Sequence, residues 1–108
     1  MKKLLFVCSF VVISGVIASG ALAAEPAAKH AGEAKFKEQC AVCHPDGGNI
    51  INPKKTLLKK DRAANNIKTE ADIIKTMRNP GPGMNKFDEK TISDKDARAI
   101  ANYILKTF

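Results

Sequence analysis

Aromatic residues and cysteine are scarce in this chain. Among its 108 residues there is no tryptophan, one tyrosine and five phenylalanines. With so few rings, and with lysines spread along the chain rather than gathered in one stripe, there is little to stack on bases or track a phosphate backbone. Nucleic acid is not expected as a partner. Only three cysteines and two histidines are present. A structural zinc site takes four nitrogen and sulfur ligands, and the chain has no second cysteine pair and only His30 as a spare histidine. Alternation of apolar and polar residues over a useful strand length is also missing, as is any internal repeat. The fold is therefore expected to be all-α, and the length suits one small domain.

The N-terminus reads as an export signal. Met1-Lys2-Lys3 is followed by an apolar run from Leu4 to Leu22, interrupted only by small or weakly polar residues, and then by the exit Ala21-Leu22-Ala23. A basic head, an apolar middle and an A-x-A exit describe a secretory signal peptide. About 19 apolar and small residues are also enough to span a bilayer. The glycine and serine content, the small-residue exit and the lack of basic residues just after it favour cleavage over a permanent anchor. Residues 1–23 are thus expected to be removed, leaving a periplasmic domain over 24–108 with no stable membrane insertion. Cys8 leaves with the signal. The net charge of +7 falls by two, for Lys2 and Lys3, to +5.

The mature chain then holds two cysteines, both in Cys40-Ala41-Val42-Cys43-His44. Two thiols three positions apart can each add to a vinyl group of a porphyrin, and the histidine directly after the second sits beneath the iron as its proximal ligand. A thioredoxin-like redox pair wants a strand-helix-strand setting that is not found here. A plain disulfide across so short a loop would restrict the unfolded chain little. Export agrees with the haem reading, since c-type attachment takes place on the outer face of the inner membrane. One covalent haem c, held by Cys40, Cys43 and His44, is the expected cofactor. About 85 mature residues give only a few kcal/mol of net stability from their own core, so the chain without its macrocycle is expected to fold poorly.

Along the mature chain, Ala24 to Lys29 contains Pro26 and reads as a loose lead-in. A helix is expected from His30 to Gln39, with Gly32 and Phe36 on one face. A glycine there costs roughly 1 kcal/mol relative to alanine, which points to a close approach by another element. His30, at the start of this helix, is assigned to the surface. Pro45-Asp46-Gly47-Gly48-Asn49 is a turn, and Ile50 and Ile51 are expected to pack inward. Lys54 to Asn66 suits a short, weakly amphipathic helix whose leucines, Leu57 among them, meet the haem edge. Thr69 to Asp72 is a capping box opening a firmer helix with Ile73, Ile74 and Met77 on one side, ended at Asn79-Pro80. Pro80 to Phe87 is a shaped Pro/Gly loop. Ser93 to Asp96 is a second capping box, starting a last helix whose apolar stripe is Ala97, Ile100, Ala101, Ile104 and Phe108.

The second axial position on the iron has three candidates. His30 lies on the helix leading into the motif and is carried away from it. Met77 shares a helix face with Ile73 and Ile74, where a methionine is more often core filler. Met84 stands in the Pro/Gly loop, where no packing demand explains it, and is preferred; Met77 or an open site are the alternatives.

These residues resemble those of the class I monohaem cytochromes c, in particular the small soluble carriers of algal and cyanobacterial photosynthesis and their bacterial respiratory relatives. The resemblance runs from His30 to Phe108. It is carried by Gly32-x-x-x-Phe36-x-x-x-Cys40-x-x-Cys43-His44, by Gly47-Gly48-Asn49-Ile50-Ile51-x-Pro53-x-Lys55-Thr56-Leu57, by Met84-x-x-Phe87 and by Ile100-Ala101-Asn102-Tyr103-Ile104. It implies a cytochrome c fold of three to four short helices wrapped around covalent haem, with the first and last helices crossing at Gly32, Phe36 and Tyr103. It also implies Met84 as the sulfur ligand, Leu57 and Phe87 in the haem pocket, and single-electron transfer with redox partner proteins. The sequence departs from the family at Asn85, where a proline usually follows the ligand methionine. Lys54, Lys55, Lys59, Lys60 and Lys86 are candidate contacts for an acidic partner surface. The rival is a haem enzyme or gas sensor in which Met84 dissociates; against it, no spare histidine or arginine-rich cluster is available for acid-base work on a peroxide.

Overall fold

The computed structural model describes residues 24–108; the expected signal segment, with Cys8, lies outside the described residues. Four helices follow one another: α1 (Ala24–Gln39), α2 (Lys59–Ala64), α3 (Glu70–Arg78) and α4 (Asp94–Thr107), with a 3-10 turn at Pro45–Gly47 between α1 and α2. No strand occurs among the described residues. The all-α expectation holds.

α1 begins at Ala24 rather than at His30. Pro26 falls in its first turn, where a missing N–H removes no helical hydrogen bond, so the proline does not hold the helix off. Further along, α1 lies directly against α4. A Cβ built on Gly32 would overlap the Ala99 carbonyl oxygen and stand 3.1 Å from Cβ of Tyr103, so only glycine allows this approach. Phe36 is buried and joins Tyr103 and Phe108 in a three-ring cluster, with centroids 5.3 Å and 5.5 Å from Phe36 and 5.9 Å between the other two. Tilted and edge-on rings at such spacings add about 0.5–1.5 kcal/mol per pair beyond the area they bury.

α3 is opened by the predicted capping box: the Thr69 hydroxyl accepts from the Asp72 amide, and the Asp72 carboxylate accepts from the Thr69 amide at 2.9 Å. Ile73 and Met77 turn inward onto Ile92, Ala97, Ile100, Ala101 and Ile104, which with Phe36 form the core. At α4 only the serine half of the second box forms, the Ser93 hydroxyl accepting from the Asp96 amide at 3.1 Å.

Two further expectations are corrected. The helix expected over 54–66 is confined to Lys59–Ala64. Leu58 is extended, with φ −63° and ψ 142°, and Asn66 takes φ 58° in the left-handed region, so both ends are stopped by backbone geometry. Ile50 does not pack inward and is 62% exposed; Ile51, 61% exposed, turns to the wall of the cavity described below. The Asn49 side chain accepts from the amides of Ile51 and Asn52 at 2.9 Å and 2.8 Å. That turn sets the direction of the loop against its apolar pattern.

Replacing Gly32 with alanine gains about 1 kcal/mol of helix propensity but forces a methyl into the Ala99 backbone, where overpacking costs about 1–3 kcal/mol. Net destabilisation is expected for Gly32→Ala in denaturant unfolding of the holoprotein, although the same change at most helix positions stabilises. The Asp72 carboxyl is held below its ordinary range, first by the Lys68 amide and then by the Thr69 hydroxyl and amide. A depressed carboxylate stabilises the fold above its unfolded pKa and loses that contribution as pH falls through the folded value. Asp72→Ala should therefore flatten the fall of stability with acid from about pH 4 downward, a slope measurable by thermal unfolding at stepped pH.

Candidate functional site

α1 does not end cleanly at Gln39. The Phe36 carbonyl accepts from the Cys40 and Ala41 amides at 2.8 Å and 3.0 Å, and the Cys40 carbonyl accepts from Cys43 and His44 at 3.1 Å and 2.9 Å. This continued winding brings Cys40, Cys43 and His44 to the wall of one cavity of about 510 Å³. Such a volume lies within the roughly 300–1,000 Å³ of clefts that hold organic cofactors.

The chemistry of the three groups is set by their neighbours. His44 Nδ1 lies 2.7 Å from the Gly48 carbonyl oxygen. A carbonyl only accepts, so Nδ1 carries the hydrogen, and Nε2 of the neutral ring keeps a free lone pair for a metal. The Gly48 carbonyl is presented by the left-handed turn before it, in which Asp46 has φ 51° and Gly47 φ 78°. A Cβ on Gly47 would strike the Phe108 ring, so α4 presses on this turn. Burial, with Cys43 nearby as the lesser cause, pushes the Cys40 thiol up to about 11. Redox-active C-x-x-C pairs instead depend on a thiol with a lowered pKa. The two cysteines are not bonded to each other.

All the residues singled out for this site line the cavity: Cys40, Cys43, His44, Leu57, Met84 and Phe87. Leu57 is held there by its amide, which donates to the Gly47 carbonyl at 2.7 Å. Met77 also reaches the cavity, while 97% of its surface is shielded within the core. His30 is exposed and does not line it. Met84 is partly buried in a loop without helix. The loop leaves α3 at Asn79 and returns to it, the Phe87 amide donating to the Met77 carbonyl at 2.9 Å.

Two arginines escaped the sequence reading. Arg78 Nη1 donates to the carbonyls of Phe87 and Ile92 at 3.1 Å and 2.8 Å, and Nη2 pairs with Asp94 at 2.8 Å. It clamps the exit of the Met84 loop to the start of α4. Arg62 is the one buried charged residue among the described residues, 5% exposed, and also lines the cavity. Nothing in the local pattern signals either, because the partners of Arg78 are backbone carbonyls distant in sequence.

An all-α fold closed around a cavity with two thiols, an imidazole with a free Nε2 and thioether sulfur has the donor set and volume that a c-type haem requires, and defines the class of the c-type cytochromes. The comparisons agree. Residues 27–104 match the family model described as cytochrome c oxidase, cbb3-type, subunit III. The chain is 35% identical to the cytochrome c6 of Rippkaea orientalis over 107 residues, covering 97% of this chain and 93% of that one. To the cytochrome c6 of Cyanidium caldarium it is 40% identical over 74 residues, 68% of this chain and 66% of the relative. Among solved structures it is similar to OmcF, outer membrane cytochrome F from Geobacter sulfurreducens, at 45% identity and a TM-score of 0.69, covering 71% of this chain and 98% of that one. The chain belongs to the cytochrome c6-like family of class I c-type cytochromes. It is a monohaem electron carrier with one covalently attached haem c, not an enzyme.

Loss of the Arg78 clamp leaves two backbone carbonyls and Asp94 without their charged donor. With hydrogen bonds to charged groups contributing about 1.5–3 kcal/mol, Arg78→Ala is expected to destabilise the holoprotein by about that much and to speed hydrogen exchange at the Phe87 amide. Equal exchange in both proteins would remove the clamp from the account.

Proposed function

We propose that Cys40 and Cys43 form the two thioether links, that His44 Nε2 is the proximal iron ligand and Met84 the distal one, and that Leu57 and Phe87 pack against the macrocycle. The observation that carries this reading is the convergence of all six side chains on one cavity. When bound, the iron supplies a one-electron couple whose potential the thioether raises by favouring ferrous iron. The chain's part is to keep the ligands still. The hydrogen bond from His44 to Gly48 fixes the plane of the imidazole, and the Met77–Phe87 and Arg78–Phe87 bonds pin the loop that carries Met84. Prolines 80 and 82 stiffen the same loop ahead of the methionine. Small rearrangement between the two oxidation states is what an electron carrier needs from its protein.

The remaining features fit export and docking. Residues 1–23 act as a cleaved signal, delivering the 24–108 domain to the periplasm, where haem attachment takes place. No helix among the described residues is long and apolar enough to cross a membrane. Lys54, Lys55, Lys59, Lys60 and Lys86 are exposed and have no ion pair among the described residues, and Lys55 stands on the cavity wall. Exposed cations near the mouth of a redox site speed encounter with an acidic partner.

Absorption spectra of the protein matured in a periplasm test the assignment. A low-spin ferrous spectrum is expected, with a near-infrared iron–sulfur band in the ferric form that is lost in Met84→Ala and kept in Met77→Ala. Loss in Met77→Ala alone would move the ligand onto α3. Cys40→Ala or Cys43→Ala should sharply reduce covalent holoprotein by mass, and normal yields would overturn the thioether assignment. Rapid carbon monoxide binding by the reduced wild type would favour a ligand-binding role over simple electron transfer.

A further inference from the structure

Ile51 is a large apolar residue left outside the core, and its loop is built so that it cannot turn elsewhere. The Asn49 side chain accepts from the Ile51 and Asn52 amides and donates to the Lys55 carbonyl at 2.8 Å. The Ile50 amide donates to the Cys43 carbonyl at 3.0 Å, which ties the loop to the haem motif. Ile51 follows directly and lines the cavity, whereas Ile50, just as exposed, does not.

At the cavity wall Ile51 meets the loop that carries Met84. A Cβ built on Gly83 would stand 3.0 Å from the Ile51 γ2-methyl and 4.0 Å from its Cβ, so the isoleucine covers the residue next to the methionine. Gly83 takes φ 90°, and glycine there supplies both the turn and the room for the methyl. The backbone holds itself weakly at this point. The Met84 amide stands 3.5 Å from the Gly81 carbonyl oxygen, longer than the roughly 2.7–3.2 Å of an ordinary hydrogen bond. Beyond it, among the described residues, the next backbone bond of the loop is that of the Phe87 amide. Between those two amides the place of Met84 depends on side-chain packing.

We infer that Ile51 is a positioning residue for Met84: its γ2-methyl latches the loop at Gly83 and slows the departure of the methionine from the iron. This rests on the reading of Met84 as the distal ligand and deepens it. Contact with Gly83 removes apolar surface from water, and opening of the loop exposes that surface again. Because the Ile51 loop is bonded to the motif at Cys43, the latch also braces the segments that carry the two axial ligands against each other.

The test mixes ferric holoprotein with imidazole and follows loss of the near-infrared iron–sulfur band, for wild type, Ile51→Ala, Ile51→Val and Ile50→Ala, each checked for covalent haem by mass. In this exchange the iron–sulfur bond breaks and an imidazole nitrogen takes its place, with no change of oxidation state. At saturating imidazole the rate is that of loop opening. Ile51→Ala should keep the band but open about fourfold faster, the effect of losing one buried methyl contact. Ile51→Val keeps the γ2-methyl and should stay near the wild-type rate, as should Ile50→Ala. An Ile51→Ala protein with an intact band and the wild-type saturating rate overturns the latch and leaves the ligand assignment standing. So does a change seen only below saturation, which reports access to the iron rather than opening, or an equal acceleration in Ile50→Ala. A wild type that shows no sulfur band overturns the Met84 reading and the latch with it. If Ile51→Ala does not accumulate, proton NMR of the wild-type ferrous protein decides: cross-relaxation between the Ile51 γ2-methyl and the Gly83 α-protons is expected, and its absence overturns the latch.

Discussion

The close approach of α1 and α4 at Gly32 is the contact on which the rest of the structure depends. Because the Ala99 carbonyl occupies the space of a side chain at position 32, the two helices meet closely enough for Phe36 to reach Tyr103 and Phe108. Phe108, so held, does two further things. Its ring covers Gly47, the left-handed residue just after the haem motif, and its carbonyl accepts from the Lys59 amide at 3.0 Å, fixing the start of α2. The Gly47 carbonyl in turn holds the Leu57 amide. A helix crossing remote from the iron ligands thus sets the position of the turn that orients His44 and of the leucine on the cavity wall.

Features written in short stretches were legible in the sequence. The motif needs five consecutive residues, the Thr69–Asp72 box four, and the stripe of α4 follows from a 3.6-residue period. Each is fixed by interactions within a turn or two: the box and the stripe stand as expected, and the motif's residues meet on one cavity wall. The places where reading failed involve longer reach or competing local chemistry. Ile50 looks like core by composition, but the Asn49 side chain captures its loop through the amides of Ile51 and Asn52 and leaves Ile50 outside. Pro26 looks like a helix breaker, yet in a first turn it breaks nothing. Arg62 and Arg78 look like ordinary surface charges, and their roles depend on carbonyls and a cavity that only the folded chain assembles.

Arg78 also answers the question raised by Asn85. A proline after the methionine would stiffen the loop by fixing φ at one residue. In this chain the stiffness comes from Pro80 and Pro82 ahead of Met84 and from the hydrogen bonds at Phe87 behind it. Gly83, at φ 90°, lies where a Cβ would stand 3.0 Å from a methyl of Ile51, so the loop also touches the Asn49-directed segment beside it. The loop carrying the methionine is held from three directions without a proline at 85, so the ligation proposed for Met84 does not depend on one.

The size of the cavity ties folding to haem attachment. If walls like these closed on nothing, a hollow of about 510 Å³ at about 24 cal/mol per Å³ would cost on the order of 12 kcal/mol. That figure is an upper bound for a site open at one side, but it is as large as the whole stability of an ordinary domain, about 5–15 kcal/mol. The core that must offset it consists, among the described residues, of eight buried apolar residues, two of them alanines on α4. The crossing can be formed by the chain alone, since Gly32, Phe36, Ala99 and Tyr103 need nothing from the cofactor. Leu57 and Phe87 pack against the core on one side and face the cavity on the other. Filling the cavity removes that cost, so attachment of the macrocycle stabilises the wall that Leu57, Met84 and Phe87 share.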